Sequence, residues 1–334
     1  MLVDTLTLRL NSVTYDTPNL KTQSPSVDMR TGEIAPSVDI MGYRANKAFL
    51  NTDTFNYTCK AKQLPNGQVM PLEAVKFSVP KVLGVDVPGV NLDAFDISDA
   101  LALVRDALHE NGICTDTFDA GLWRVDSTAD VITEYPFGAY SSVFENMQYH
   151  HFTDASIGST YRLGGKTKQF CIYDKVSEYE ARGIDVSHMP HNVMRFEYRT
   201  VKARALREAG FRDVSALLDK YDTLRAQTLE AWYTALFRVG DNISHASPEN
   251  CLQAFEIAQS DTSRWISNGE RYLGLLYLLE NGYTPNGYKS FLLDSGVSRQ
   301  TAIKHRDDMI AMQFTHDTFA LYDELKDKLT EALS

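Results

Sequence analysis

Met194-Arg195-Phe196-Glu197-Tyr198-Arg199 alternates apolar and charged residues without a break. A β-strand sends successive side chains to opposite faces, so Met194, Phe196 and Tyr198 fall on one face and Arg195, Glu197 and Arg199 on the other. Two upstream stretches have the same form. In Leu122-Trp123-Arg124-Val125-Asp126, Trp123 and Val125 oppose Arg124 and Asp126. In Phe170-Cys171-Ile172-Tyr173-Asp174-Lys175, Phe170 and Ile172 oppose Cys171, Tyr173 and Lys175. Three such strands predict an antiparallel sheet with helices packed on its apolar face and charge on the other.

Working outward, residues 4–10 alternate in the same way, and residues 55–63 and 74–79 flank Pro65-Asn66-Gly67. Asn-Gly supplies the positive φ angles of a tight hairpin turn. Residues 21–36, rich in Ser, Thr and Pro, read as a loop. Helical spacing of Leu101, Leu103, Val104 and Leu108 predicts a helix over 98–109, stopped by Asn111-Gly112. Strands are expected at 122–132, in two pieces over 161–175, and at 192–201, with helices at 137–149 and 202–210. A long amphipathic helix over 215–237 opens an all-helical region that continues to the end, with breaks near 241–248 and at 282–287. The expectation is an α/β (α+β) fold, residues 1–240, followed by a helical domain, residues 241–334.

A chain of 334 residues has room for both parts. It is 43% hydrophobic and 23% charged, with no apolar run near the ~18 residues that a membrane span needs, so no membrane association is expected. Residues 1–10 read as a strand and not as a secretory signal, which points to the cytosol. Cys59, Cys114, Cys171 and Cys251 are scattered, against a zinc ribbon or a disulfide framework. A net charge of -11 disfavours a protein that coats nucleic acid non-specifically, so DNA contact must be local.

The charged faces gather Asp126, Glu197, Tyr173, Lys175 and several arginines, the equipment of phosphodiester transfer. Two carboxylates can hold Mg²⁺ with waters and phosphate oxygens. Arg124, Arg195 and Arg199 can clamp phosphate, and the phenol can act as nucleophile. A free phenol has a pKa of ~10, so attack needs the metal or Lys175 to favour the phenolate. Glu178 lies five residues beyond Tyr173 and joins only if the strand ends near Lys175 and a helical turn begins over 176–181. The competing reading is a solvated sheet face without function.

Other groups are less decisive. His150 and His151 are neighbours that point apart, and His188 and His191 sit in a connecting loop, so acidic ligands are preferred to histidines. Arg162, Lys166 and Lys168 border Gly164-Gly165, where backbone could approach DNA or where an ordinary hairpin turns. Phe137, Tyr140 and Phe144 read as core. Residues 288–293, a Gly-containing turn, and 299–312 read as helix, turn, helix. Arg299, Lys304 and Arg306 on the second helix suit a recognition helix in the major groove, though many bundle pairs look the same.

Five of these segments together resemble the filamentous-phage replication initiators of the gene II protein group, and more distantly the rolling-circle plasmid initiators. They are residues 3–10, residues 76–83, Arg124-Val125-Asp126, Tyr173-Asp174-Lys175-Val176-Ser177-Glu178 and Val193-Met194-Arg195-Phe196-Glu197-Tyr198-Arg199. Arg271-Tyr272-Leu273-Gly274 and Glu280-Asn281-Gly282-Tyr283 extend the similarity. The chain is shorter than the best-known members, and the stretch between Asp126 and Tyr161 differs. The resemblance implies a rolling-circle initiator in the cytoplasm of a bacterial host that nicks one strand of origin DNA through Tyr173, leaves a 5′-phosphotyrosine and later rejoins the ends. It further implies Asp126, Glu178 and Glu197 as ligands of Mg²⁺ or Mn²⁺, Lys175 on the phosphate, and a host helicase and polymerase as partners. Tyr161, a second subunit or a hydroxyl could accept the second transfer. A non-catalytic origin-binding regulator of the same fold is the alternative.

Overall fold

The computed structural model describes residues 2–27, 30, 35–40, 43–85, 91–144, 153–154, 160–187, 189–237, 284–313 and 316–333. His150, His151, His188, Cys251, the expected break near 241–248 and the segments 271–274 and 280–283 lie outside them. The chain forms two compact units, Met1–Ile132 with Thr153–Leu229 and Thr330–Ser334, and Thr133–Phe152 with Glu230–Leu329. The division expected at residue 240 thus falls at 229/230, and 133–152 counts with the second unit.

The strands are β1 (Leu2–Arg9), β2 (Thr14–Tyr15), β3 (Lys21–Gln23), β4 (Val38–Ile40), β5 (Tyr43–Ala45), β6 (Lys47–Asn51), β7 (Phe55–Gln63), β8 (Val69–Ser78), β9 (Ile113–Cys114), β10 (Gly121–Ile132), β11 (Thr153–Asp154), β12 (Thr160–Gly164), β13 (Lys168–Asp174) and β14 (Val193–Thr200). Ten form one sheet in the order β11-β12-β13-β14-β10-β1-β8-β7-β6-β3, with every pairing antiparallel. The fold is therefore mixed α/β on a large antiparallel sheet. The expected loop over 21–36 contributes β3, whose three residues are all exposed and pair with β6 at the sheet edge.

The apolar face follows from register. Leu6 pairs with Phe77 and Val125, and Leu8 with Val75 and Leu122, so three strands stack buried side chains in two rows. Each such side chain contributes about 1.5–3 kcal/mol on burial. The hairpin between β7 and β8 turns at Gly67, whose φ of 82° is the left-handed conformation that Asn-Gly predicts.

Helices α1 (Val79–Leu83), α2 (Ala94–Glu110), α3 (Ser141–Phe144), α4 (Lys175–Ala181), α5 (Ala203–Glu208), α6 (Val214–Asp219) and α7 (Tyr221–Trp232) follow. Of these α1 packs on β1 and β8, α4 on β13 and β14, and α5 on β10. α2 begins earlier than expected, because Asp93 and Asp96 form a reciprocal capping box. It stops at Gly112, with φ 71°, where an added Cβ would lie 2.0 Å from the Asp16 carbonyl oxygen. The single helix expected over 215–237 is in fact α6, α7 and a π-helical turn, Tyr233–Phe237. Lys220 leaves helical geometry at φ -120° and ψ 29°, and beyond it buried Tyr221 donates to the Leu92 carbonyl at 2.6 Å.

In the second unit, the described part of the helix expected over 137–149 is a 3-10 turn, Phe137–Tyr140, running into α3. Tyr140 and Phe144 are buried as core, and the Tyr140 hydroxyl donates to Glu324 at 2.6 Å. Helices Pro285–Asp294 and Arg299–Gln313 flank a turn at Gly296 with φ 81°. Ser298 caps the latter by accepting from the Thr301 N–H at 3.2 Å. Helix His316–Leu333 follows. No helix among the described residues is long and apolar enough to cross a membrane.

Candidate active site

Strand register assembles the charged face row by row. Asp130 pairs with Arg195 and Arg195 with Tyr173, so β10, β14 and β13 place these three side by side. The next row holds Thr128, Glu197, Cys171 and Arg162, and the one after it Asp126, Arg199 and Gln169. The alternation read from sequence therefore brings Asp126, Tyr173, Arg195, Glu197 and Arg199 onto one face. Arg162 joins them opposite Cys171, whose thiol pKa burial raises while the neighbouring Arg199 and Arg162 charges oppose the rise.

The centre of this face is buried, while Arg124, Tyr173 and Arg199 are partly exposed and Arg162 is exposed. Asp126 is 1% exposed, Lys175 3%, Arg195 4% and Glu197 5%. Charges so placed need partners. Arg124 grips Asp126 with both Nε and Nη2, at 2.7 and 2.6 Å, and Arg195 grips Asp130 in the same bidentate way at 2.7 and 2.8 Å. Arg199 donates to Glu197 and lies 3.9 Å from Asp126. Lys175 donates to Glu178 at 2.7 Å, and Arg182 donates to the other oxygen of that carboxylate at 2.9 Å.

Glu178 reaches the face because β13 ends at Asp174. The Asp174 carboxylate caps α4 by accepting from the Val176 and Ser177 N–H groups, so the chain turns helical at Lys175. Lys175 and Glu178, three apart on that helix, then lie on one side. The Lys175 ammonium sits 4.2 Å from the centre of the Tyr179 ring and 5.9 Å from that of Tyr173.

Tyr173 is half-buried and differs from four other phenols. Tyr15, Tyr57, Tyr140 and Tyr221 all have hydrogen-bonded hydroxyls. The Tyr173 hydroxyl has no hydrogen-bond partner among the described residues. Burial drives its pKa well above the ordinary phenol range; Arg195 opposes this, while Glu197, Glu178 and Asp4 reinforce it. The Arg199 Nε is a buried donor without a hydrogen-bond acceptor. The Tyr173 hydroxyl and the Arg199 Nε–H, each without a hydrogen-bond partner among the described residues, lie on one face and can take an added acceptor such as a phosphate.

The electrostatics of the carboxylates bear on a metal. Burial raises the Asp126 pKa against the pull of Arg124 and Arg199, with Asp4 raising it further. Burial likewise raises that of Glu197 against Arg199, with Asp126 and Asp4 adding to the rise. Glu178 is the reverse: burial would raise it, but the hydrogen bonds from Lys175 and Arg182 hold it below the usual carboxylate range. Among the described residues no three His, Cys, Asp or Glu side chains form a ready-made metal cluster. The expected trio is split, with Asp126 and Glu197 sharing Arg199 and Glu178 held apart by Lys175 and Arg182. Two buried carboxylates on one face fit a hard divalent cation, provided Arg124 releases Asp126 and Arg199 releases Glu197.

Two members of the face were missed in the sequence. Asp130 continues the Asp126 alternation along β10 and could have been found by following the strand to its end. Asp4 lies 3.7 Å from Arg195, but simple alternation puts it with Leu6 on the apolar face. The register between β1 and β10 shifts between Val3 and Thr5, and this bulge re-aims Asp4.

The remaining candidates lie elsewhere. Lys168 has the parity of Phe170, and its ammonium lies 5.9 Å from the centre of the Tyr198 ring, on the face opposite Tyr173. Lys166 is exposed in the hairpin closed by the Gly165 N–H donating to the Lys168 carbonyl. Arg299 and Lys304 are exposed on their helix, whereas Arg306 is buried and donates to Asp307 at 2.6 Å, so it does not present its guanidinium to a groove. Tyr161 pairs with Ile172 and so has the parity opposite to Tyr173, and His191 is exposed. Neither a comparison with protein-family models nor one with curated proteins gave a match for this chain.

Proposed function

We propose that the chain is a metal-dependent DNA-nicking and -joining enzyme of the rolling-circle initiator type, with Tyr173 as its nucleophile and origin DNA as its substrate. The observation that carries this reading is the Tyr173 hydroxyl: half-buried, without a hydrogen-bond partner among the described residues, and in register with Arg195 on a face of paired charges. Tyr57, Tyr140 and Tyr221 bond their hydroxyls within the protein; here the phenol's partner is the scissile phosphate. The Tyr173 oxygen bonds to phosphorus, the bond from phosphorus to the 3′-oxygen breaks, and a 5′-phosphotyrosine and a free 3′-hydroxyl result. Joining is the reverse displacement by a 3′-hydroxyl.

The phenol must lose a proton and the departing oxygen must gain one. Lys175 suits that exchange, because burial and the neighbouring Arg195 lower its hold on its own proton. Arg195 orients the phosphate and stabilises charge on it. Asp126 and Glu197 would hold Mg²⁺ or Mn²⁺, which supplies neutralising charge at the phosphate oxygens and offsets the carboxylates that hold the phenol's proton in place. A host helicase and polymerase would extend the 3′-hydroxyl in the bacterial cytoplasm.

Incubation with supercoiled or single-stranded origin DNA and Mg²⁺ or Mn²⁺ tests this. The expected result is a nick and a protein–DNA adduct that survives a denaturing gel, with both lost on addition of EDTA. Asp126→Asn and Glu197→Gln should raise the metal concentration needed for half-maximal nicking by at least about tenfold. DNA binding without a nick at any metal concentration would favour a regulator of the same fold.

A further inference from the structure

A cavity of about 370 Å³ opens in the first unit away from Tyr173, where the Arg9 end of β1 and the Gly121 end of β10 meet the turn between α5 and α6. Arg9, Arg207 and Arg212 line it, and all three are exposed. None makes a side-chain hydrogen bond or ion pair with a described residue. This contrasts with the candidate active site, where Arg124, Arg182, Arg195 and Arg199 each hold a carboxylate. In a chain with net charge -11, three guanidinium groups without described partners around one cavity have the charge and geometry to receive an anion.

The cavity also has an aromatic wall. The register between β1 and β10 shifts between Thr7, which pairs with Arg124, and Leu8, which pairs with Leu122, so Trp123 is an extra residue on β10. Leu122 takes the core position that alternation assigns to Trp123, and the bulge turns the half-buried indole into the cavity beside Phe118. Of the two lining carboxylates, Asp213 is occupied in capping α6, where it accepts from the Ala216 N–H at 2.9 Å. Asp119 is exposed and is the one acid that could oppose an anion there.

We propose that this cavity is a second DNA subsite, in which the arginines hold the backbone of a single strand and Trp123 stacks on a base. The proposal rests on the nicking function above and names where the strand is held beyond the scissile phosphate. Arginine forks match phosphate geometry, and stacking on indole is indifferent to base identity, so the subsite grips a strand without reading its sequence.

Fluorescence anisotropy of a labelled short oligothymidylate in EDTA tests it without any nicking. The triple variant Arg9→Ala, Arg207→Ala, Arg212→Ala should bind more weakly, and the slope of log affinity against log salt should flatten by up to about 2. Trp123→Ala should weaken binding by roughly 5- to 150-fold. All four side chains lack described polar partners, so folding, checked by urea unfolding, should survive. Arg212→Lys should keep the salt slope. A triple variant with unchanged affinity and slope overturns the proposal. So does thymidine monophosphate binding as tightly as the oligonucleotide, which would make the cavity a site for a free nucleotide. Tyr173→Phe should bind the oligonucleotide like the parent; if it still forms the adduct, the nicking assignment falls while these binding results stand on their own.

Discussion

In the N-terminal strands, Tyr15, Tyr57 and Glu73 form a closed chain: the Tyr57 hydroxyl lies 2.8 Å from that of Tyr15, which donates to Glu73 at 2.7 Å. On β13 and β14, Tyr173 stands among Arg195, Glu197 and Lys175 with its hydroxyl unpartnered among the described residues. Both clusters are at least half-buried and both set phenols near carboxylates. The first has the parity of Val75 and is sealed into the apolar face, whereas the second lies on the charged face. A closed polar cluster serves the fold, and an open one beside paired charges is available for chemistry.

Substitutions can break that contrast. Asp130→Ala should have the largest effect on stability, because it strands the Arg195 guanidinium in a buried place; urea unfolding should show a loss of about 3–5 kcal/mol. A loss below about 1 kcal/mol would mean that the charged face is open to water and that its pairs are not what holds it.

The sharper comparison makes one change in two places. Tyr15→Phe removes the donor that Glu73 depends on and should destabilise by about 1–3 kcal/mol, with nicking per folded molecule unchanged. Tyr173→Phe removes a hydroxyl without a hydrogen-bond partner among the described residues and should shift stability by less than about 0.5 kcal/mol, while nicking falls at least about 10³-fold. Equal stability losses at the two positions would erase the distinction between them.

The smallest effect should be a gain. Burial raises the pKa of Glu73 against the hydrogen bonds from Tyr15 and Cys59. The folded state therefore holds that proton more tightly than the unfolded chain. Its stabilising contribution is complete below the unfolded carboxylate value of about 4.3 and is lost as pH rises through the folded value. Glu73→Gln still accepts from Tyr15 through its amide oxygen and carries no charge. Urea unfolding should show a gain of about 1 kcal/mol near pH 7 that shrinks towards pH 4. A gain independent of pH would place the carboxylate in solvent.

Strand parity carried most of this into the sequence. Asp126, Tyr173, Arg195, Glu197 and Arg199 were legible as one face because a period of two needs no tertiary information. Glu178 was legible conditionally, and the Asp174 cap met the condition. Asp4 and Trp123 were not legible, since each sits at a bulge, and a bulge depends on how two distant strands pair and not on either alone. The ion-pair partners were also hidden: alternation puts Arg195 beside Tyr173, but that Asp130 holds the guanidinium follows only from the register of β10 on β14. The cavity at Arg9, Arg207 and Arg212 brings together residues some 200 positions apart in the chain, and no local pattern announces it.

The central claim is that Tyr173 attacks DNA. The most direct measurement is to trap the adduct formed with origin DNA and Mg²⁺ or Mn²⁺, digest both components, and locate the nucleotide-bearing peptide by mass spectrometry. A nucleotide 5′-phosphate on Tyr173, absent from the Tyr173→Phe variant, is the predicted result. A nucleotide carried by any other residue, or an adduct that survives Tyr173→Phe, would contradict it.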